Sequence, residues 1–495
     1  MSHPSSGNDL DENLERELSA ITPAMMQQGL VVENEKELSH DKNSLDKEAT
    51  HGKGTDPYVI SGAHEGLDGD KEEVEELPRD RNCLEKLIHF VIPHGGILSG
   101  VVNLASVTLG AGIMSIPSSF NTSGLAMAII YLTVITALTI YSIHLLIVAE
   151  KKTGLHSFEG MARGLLGRGG DIFVAILMWA LCFGGAVGYV IAVGNVIEAL
   201  FKHDGVPEYL QGSSGRKCIV SGIWLLFMLP LVLPKQVNSL RYASAVGVCF
   251  IVFFVICVVI HSAMNGLKNG LPKDLVMVST GNSGISGLSL FMFAYLCQVN
   301  IFRITAEAKR PTVGRLTLQA TLACSVCGVM YLLVGLFGYF DFGSSLTGNA
   351  LSYYDPYASP MFFVCFIGFI IKLCAAFSLN MLACRSAFFS LVNWDVVTLP
   401  YWKHTLVSVP FAIGALILGL FVPDINVVFG FVGSLCGGFI GFVFPALFIM
   451  YSGNWNWKTA GPVQFVSTYF LLICGVIGIV WGTGSTVYDA VLTYG

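Results

Sequence analysis

Charged residues are scarce in this chain: they make up 13% of its 495 residues, about half the share of an ordinary soluble domain. With 53% hydrophobic residues beside that scarcity, a water-soluble globular assembly is excluded as the bulk of the molecule. Catalytic signatures are missing too. The chain has no HExxH, no GxSxG, no paired aspartates inside an apolar run and no metal-ligand cluster, so neither an enzyme nor a bound cofactor is expected. Gly167 to Gly170 (GRGG) lacks the preceding strand and GK[ST] ending of a phosphate loop and reads as a turn. Nucleic acid is not an expected partner. Cysteines are not scarce, at 13, but nearly all, including Cys182, Cys249, Cys257, Cys365 and Cys474, lie inside apolar runs as small hydrophobes. The CxxC of Cys324 and Cys327 sits mid-run with no further ligand, so no redox or metal role is expected of it.

What the chain does have is apolar runs long enough to cross a hydrocarbon core about 30 Å thick as helices. Eleven are expected, at 96–120, 124–149, 172–201, 219–234, 242–264, 284–302, 316–341, 358–384, 403–422, 428–451 and 463–487. Ahead of them, residues 1–86 hold 21 Asp/Glu against 9 Lys/Arg, a net −12, while the remainder is +6. Such a segment buries too little surface to offset its ordering entropy, and is expected to be a disordered, acidic, cytoplasmic tail.

No signal peptide is read at the start, so the first span is expected to insert with the N-terminus inside. Counting Lys/Arg in the connections then gives 13 on the cytoplasmic side, among them Lys235 and Arg241, against 5 outside. That bias fits the positive-inside rule and puts the C-terminus outside. His156 to Leu166 reads as a short amphipathic helix on the cytoplasmic surface, Asp424 as a structural cap, and Asn121 as a sequon too close to the membrane for a glycan.

Two spans are not uniformly helical in pattern. The first, GILSGVVNLASVTLGAGIMSIPSSF, places Gly110, Ala111 and Gly112 at mid-membrane, with Pro117 one to two turns on. Glycine costs about 1 kcal/mol in a helix interior and proline removes a donor. In lipid such a break survives only where its backbone faces protein or a water-filled cavity. A half-helix beginning near Ile113 would present unpaired amides, which suit a carboxylate. The carbonyls ending the half before it, around Val107 to Leu109, suit an ammonium or cation. The same small residues would also suit a close-packing groove between helices. The sixth run loses its apolar character at Tyr295, Gln298 and Asn300, five spans later. Folds made of two inverted five-helix repeats break the first helix of each and bind substrate between the breaks.

Asn103 to Pro117 (NLASVTLGAGIMSIP) resembles the first span of the amino acid/auxin permease family. Leu229 to Leu240 (LPLVLPKQVNSL), Phe293 to Gln298 (FAYLCQ) with Glu307, and Phe421 to Gly430 (FVPDINVVFG) resemble other stretches of the same family. The resemblance covers about 95–485, and the NLASVTLGAGI form with the long tail is most similar to trypanosomatid amino acid permeases. It implies an all-α polytopic membrane protein, a transporter domain over 95–490 with eleven transmembrane helices. Their arrangement would be a LeuT-like five-plus-five inverted repeat, broken in helices one and six and working by alternating access. It also implies the site. The substrate carboxylate would meet Gly110, Ala111, Gly112 and Ile113, and the amino group carbonyls near Thr108 and from Phe291 to Ala294. Gly184, Gly185, Ala186, Gly188 and Tyr189 of the third span would leave room for the side chain, with Phe293 and Tyr295 opposite.

Where sodium-coupled relatives carry an asparagine and a hydroxyl, this chain has Ser106 and Ala376, which speaks against sodium. Lys372 lies one turn before Ala376 in PMFFVCFIGFIIKLCAAF. An amine at that depth costs on the order of 3 kcal/mol. It is the coupling candidate, as proton carrier or as fixed cation in place of an ion; a snorkelling structural lysine is the alternative. Glu198 and Asp341 sit near span ends, and one of them would have to turn inward for an arginine or lysine substrate. The expectation is a sodium-independent amino acid permease of the plasma membrane, symporting protons with a cationic or small neutral amino acid. A channel would repeat polar rings instead. An amino acid sensor signalling through the tail is the rival, and deleting 1–85 separates them by sparing uptake.

Overall fold

The computed structural model describes residues 96–494, except 203–206, 235–239, 393, 395–398 and 423; for 240–245, 266, 269, 493 and 494 it describes backbone alone. The acidic tail, Lys235, the middle of the LPLVLPKQVNSL stretch and Pro423 lie outside the described residues, as does the side chain of Arg241.

Without water, an apolar segment must satisfy its backbone internally, and the described residues form helices and turns with no strand among them. A bent pair comes first, α1 (Ile97–Thr108) and α2 (Gly112–Ser123), meeting at 62°. Ten further helices among the described residues are long and apolar enough to cross a membrane. After α3 (Leu125–Thr153), the short α4 (Phe158–Leu166) precedes α5 (Arg168–Phe201), α6 (Ser213–Val232) and α7 (Leu240–His261). The next span is interrupted into α8 (Asn282–Ala294) and α9 (Ile301–Glu307). Then follow α10 (Val313–Phe342), α11 (Pro360–Leu391), α12 (Tyr401–Phe421), α13 (Ile425–Tyr451) and α14 (Pro462–Tyr494). Several run past the apolar stretches, α5 beginning at Arg168 rather than 172 and α11 ending at Leu391 rather than 384, because a helix need not stop where lipid does.

Local chemistry sets the ends. Gly154 closes α3 in the left-handed region, φ +69°, with its N–H on the Glu150 carbonyl. The Ser157 hydroxyl caps α4 from the Gly160 N–H at 3.0 Å. Phe158 then seats α4 against Phe302 and Phe448, ring centroids 5.9 and 5.3 Å away. Asp424 caps α13, accepting from the Asn426 N–H at 2.9 Å; burial pushes its carboxyl up from the usual range. Asn121 lies on α2 and donates to the carbonyls of Ser344 and Leu346, at 3.1 and 2.8 Å.

The interior is organised around the two interrupted spans. α2 packs along α8, and α10 lies against α1 and α2. α13 widens into a π-helix over Val432–Val443, where Gly433 and Gly437 let it press on α8 and Gly438 on α14. α5 is clasped between α11, α12 and α13.

Candidate functional site

The first break falls at two glycines, Gly110 and Gly112, whose backbones lose the most freedom in a helix. After Thr108, Leu109 leaves the helical region at φ −74°, ψ 71°, and the Gly110 N–H folds back on the Thr108 carbonyl at 2.8 Å. α2 restarts at Gly112 with Ala111 at its cap position and no side-chain cap. Ala111 and Ile113 are buried, so the amides of that first turn point into protein without a serine, threonine or aspartate to answer them. Gly112 packs closely on α8: a Cβ there would stand 3.1 Å from the Ala294 Cα, tighter than an ordinary contact.

The second break is built differently. α8 ends at Ala294, and the chain then bonds to itself: Tyr295 N–H to Phe291 at 3.3 Å, Leu296 N–H to Phe293 at 3.1 Å and Cys297 N–H to Tyr295 at 2.8 Å. Of the carbonyls expected to meet an ammonium, those of Phe291 and Phe293 therefore already accept from the chain. The Ala294 carbonyl accepts instead from the Tyr331 hydroxyl of α10, at 3.0 Å, and that hydroxyl is also 2.7 Å from the Thr108 carbonyl. Tyr331 is fully buried. One phenol thus spans the carbonyl ends of α1 and α8.

The other expected site residues divide. Tyr189 reaches the first break, its hydroxyl 3.5 Å from where a Cβ of Gly110 would be. The small residues of α5 do not leave open room. Gly184 is filled by Val432, Gly188 by Phe429, and Gly185 faces Asn380, while Ala186 is buried. Phe293 stacks on Phe429 with centroids 4.0 Å apart and planes at 16°. Tyr295 is not gathered with them; a 2.7 Å hydrogen bond joins its hydroxyl to that of Thr136 on α3. Residue patterns had not singled out Tyr331, Asn380, Phe429 or Thr136. A phenol inside the apolar run CGVMYLLVGL was the available signal for Tyr331, since a buried hydroxyl must find a partner.

Lys372 of α11 reaches the last turn of α1. It is 6% exposed, its stem packs over Gly247 of α7, and its ammonium donates to the Ser106 carbonyl at 3.4 Å. Both acidic candidates stay at the ends of their helices. Glu198 lies 3.4 Å from Arg216, and Asp341 accepts from the Tyr354 hydroxyl at 3.1 Å while pairing with His261 at 2.9 Å. Glu198 and Asp424 line a polar cavity of 620 Å³ with Asn195, Lys202, Asn349 and Tyr353. Near that end, the Asp274 carboxylate takes the N–H and hydroxyl of Ser344, and those bonds hold it below the usual range.

One bent and one interrupted span with opposed polar ends fit several kinds of carrier, and comparison with known proteins narrows the choice. The profile described as transmembrane amino acid transporter protein matches residues 93–488. The chain belongs to that family. Among relatives, vacuolar amino acid transporter 5 of Schizosaccharomyces pombe is 26% identical over 382 residues, 75% of this chain and 87% of the relative. Amino acid transporter AVT6A of Arabidopsis thaliana is 26% identical over 384 residues, 72% and 82%. Vacuolar amino acid transporter 6 of Saccharomyces cerevisiae reaches 29% over 273 residues, 53% and 59%. These relatives come from yeasts and a plant, and the likeness to trypanosomatid permeases expected from the sequence is not shown by them.

Proposed function

We propose that this protein carries neutral amino acids across a membrane by alternating access, without sodium and coupled to protons. The observation that carries the reading is the meeting of the two breaks. Uncapped amides at the start of α2 and the carbonyl ends of α1 and α8 come together, with Gly112 against Ala294. A carboxylate would take the amides from Ala111 to Ile113, the Gly110 N–H being held by the Thr108 carbonyl, and an ammonium the carbonyl ends at Thr108 and Ala294. Tyr189, Gly185, Ala186 and Phe293 would bound the side chain. Counting the bent pair as one span gives eleven, and breaks in spans one and six suit a five-plus-five inverted repeat.

The coupling reading rests on Lys372. Its ammonium on the Ser106 carbonyl puts a protein cation beside the carbonyl end of α1, where a coupling ion would otherwise be sought. An amine that gives up its proton during the cycle would couple transport to a proton gradient. A neutral substrate is favoured because Glu198 and Asp341 are both engaged at helix ends. The yeast relatives' names shift the proposed compartment from the plasma membrane to an acidic organelle. Uptake in a transport-deficient host, competed by each of the twenty amino acids with and without a proton gradient, tests this. Competition by neutral amino acids and loss of uptake on collapsing the gradient are expected. Uptake competed only by arginine and lysine, or indifferent to the gradient, contradicts it.

A further inference from the structure

The carbonyl ends of α1 and α8 have a donor that the protein itself supplies. The Tyr331 hydroxyl is 2.7 Å from the Thr108 oxygen and 3.0 Å from the Ala294 oxygen. Its ring is held edge-on by Tyr295, centroids 5.4 Å apart at 83°, so packing rather than a ligand fixes its place. Thr108 has a second donor in the Gly110 N–H at 2.8 Å. A phenol has one proton to share, and the Ala294 oxygen depends on it more.

These carbonyls are where the substrate ammonium would land, and that has a consequence for a carrier passing through an occluded state. A buried carbonyl left without a donor costs about 1–3 kcal/mol. A loaded carrier brings an ammonium with three donors; an unloaded one brings none. We infer that the Tyr331 hydroxyl is the built-in donor that lets the unloaded carrier cross, and so makes this protein capable of net transport rather than exchange alone. The inference rests on the carrier function proposed above. Tyr331 is a positioning residue for the empty half of the cycle: it answers the Ala294 carbonyl when no ammonium does, while the Gly110 N–H holds that of Thr108.

The test uses the full chain in liposomes preloaded with a uniformly radiolabelled mixture of amino acids. Efflux is followed into amino-acid-free buffer, which reports net flux, and into buffer holding the unlabelled mixture, which reports exchange. Wild-type protein is expected to do both. Tyr331→Phe keeps the ring and is expected to slow net efflux by about fivefold to a hundredfold while exchange changes less than about twofold. Tyr339→Phe is the control, since it removes another buried hydroxyl of α10, one that accepts the Val276 N–H at 3.0 Å; it is expected to move both fluxes by one factor. If Tyr331→Phe also changes both by one factor, the inference is overturned. A wild type that exchanges but shows no net efflux overturns it as well, whatever the variant's folding, and leaves the carrier function standing. A wild type that moves no amino acid in either assay contradicts the carrier function and removes this inference with it.

Discussion

The two breaks are built by different means: the first bends its span by 62°, whereas the second lies within the span Asn282–Glu307. The first is written in the backbone: Gly110, Ala111 and Gly112 offer no side chains that could bridge it, and α2 begins uncapped. The second contains no glycine between Phe291 and Asn300. It is held by bonds among its own amides and carbonyls and by the distant Tyr331. A break that depends on missing atoms should fail when atoms are added; one that depends on partners should fail when they are removed.

Adding atoms at the first break is expected to have the largest effect. Gly112→Val forces side-chain carbons into Ala294, and uptake per unit of membrane-localised protein should be abolished; retained uptake would mean the two breaks need not touch. Next comes the cation beside the first break. Lys372→Met should lower uptake about tenfold, the scale of one lost charge-assisted contact, and flatten its rise at low external pH; unchanged pH dependence would remove Lys372 as the proton carrier. Removing a partner from the second break is milder. Phe429→Ala loses the stack on Phe293, with about 0.5–1.5 kcal/mol beyond lost area, and should admit larger side chains in a competition panel; an unaltered panel would separate Phe429 from selectivity. The smallest effect belongs to Tyr295→Phe, which loses the bond to Thr136. Melting in detergent should register about 1 kcal/mol of destabilisation with KM unmoved, whereas a changed KM would return Tyr295 to the site.

Most of the fold was legible because lipid leaves so few options: each uninterrupted apolar run had to be a helix, and the ten long helices fall on the runs expected. The first break was legible for the same reason, as GAG and Pro117 are conspicuous in such a run. Around it, legibility ended with side-chain direction. The small residues of α5 look like open space in sequence, but space on one helix is filled by another, here by Phe429 and Val432 from more than 230 residues away. Tyr295 turns to α3 and α10, its hydroxyl on Thr136 and its ring on Tyr331, contacts that no residue pattern carries. Lys372 was visible as an anomaly, though its contact with Ser106, 266 residues apart, was not.

The central claim is that the two breaks together hold both ends of an amino acid. Its most direct measurement is uptake of radiolabelled amino acids by the purified full chain in liposomes, competed by matched analogues lacking either the α-amino or the carboxylate group. The account predicts that the intact amino acid competes, while each analogue is weaker by about tenfold or more, as an unanswered buried polar group implies. Equal competition by an analogue lacking either group, or no uptake of any amino acid, would contradict it.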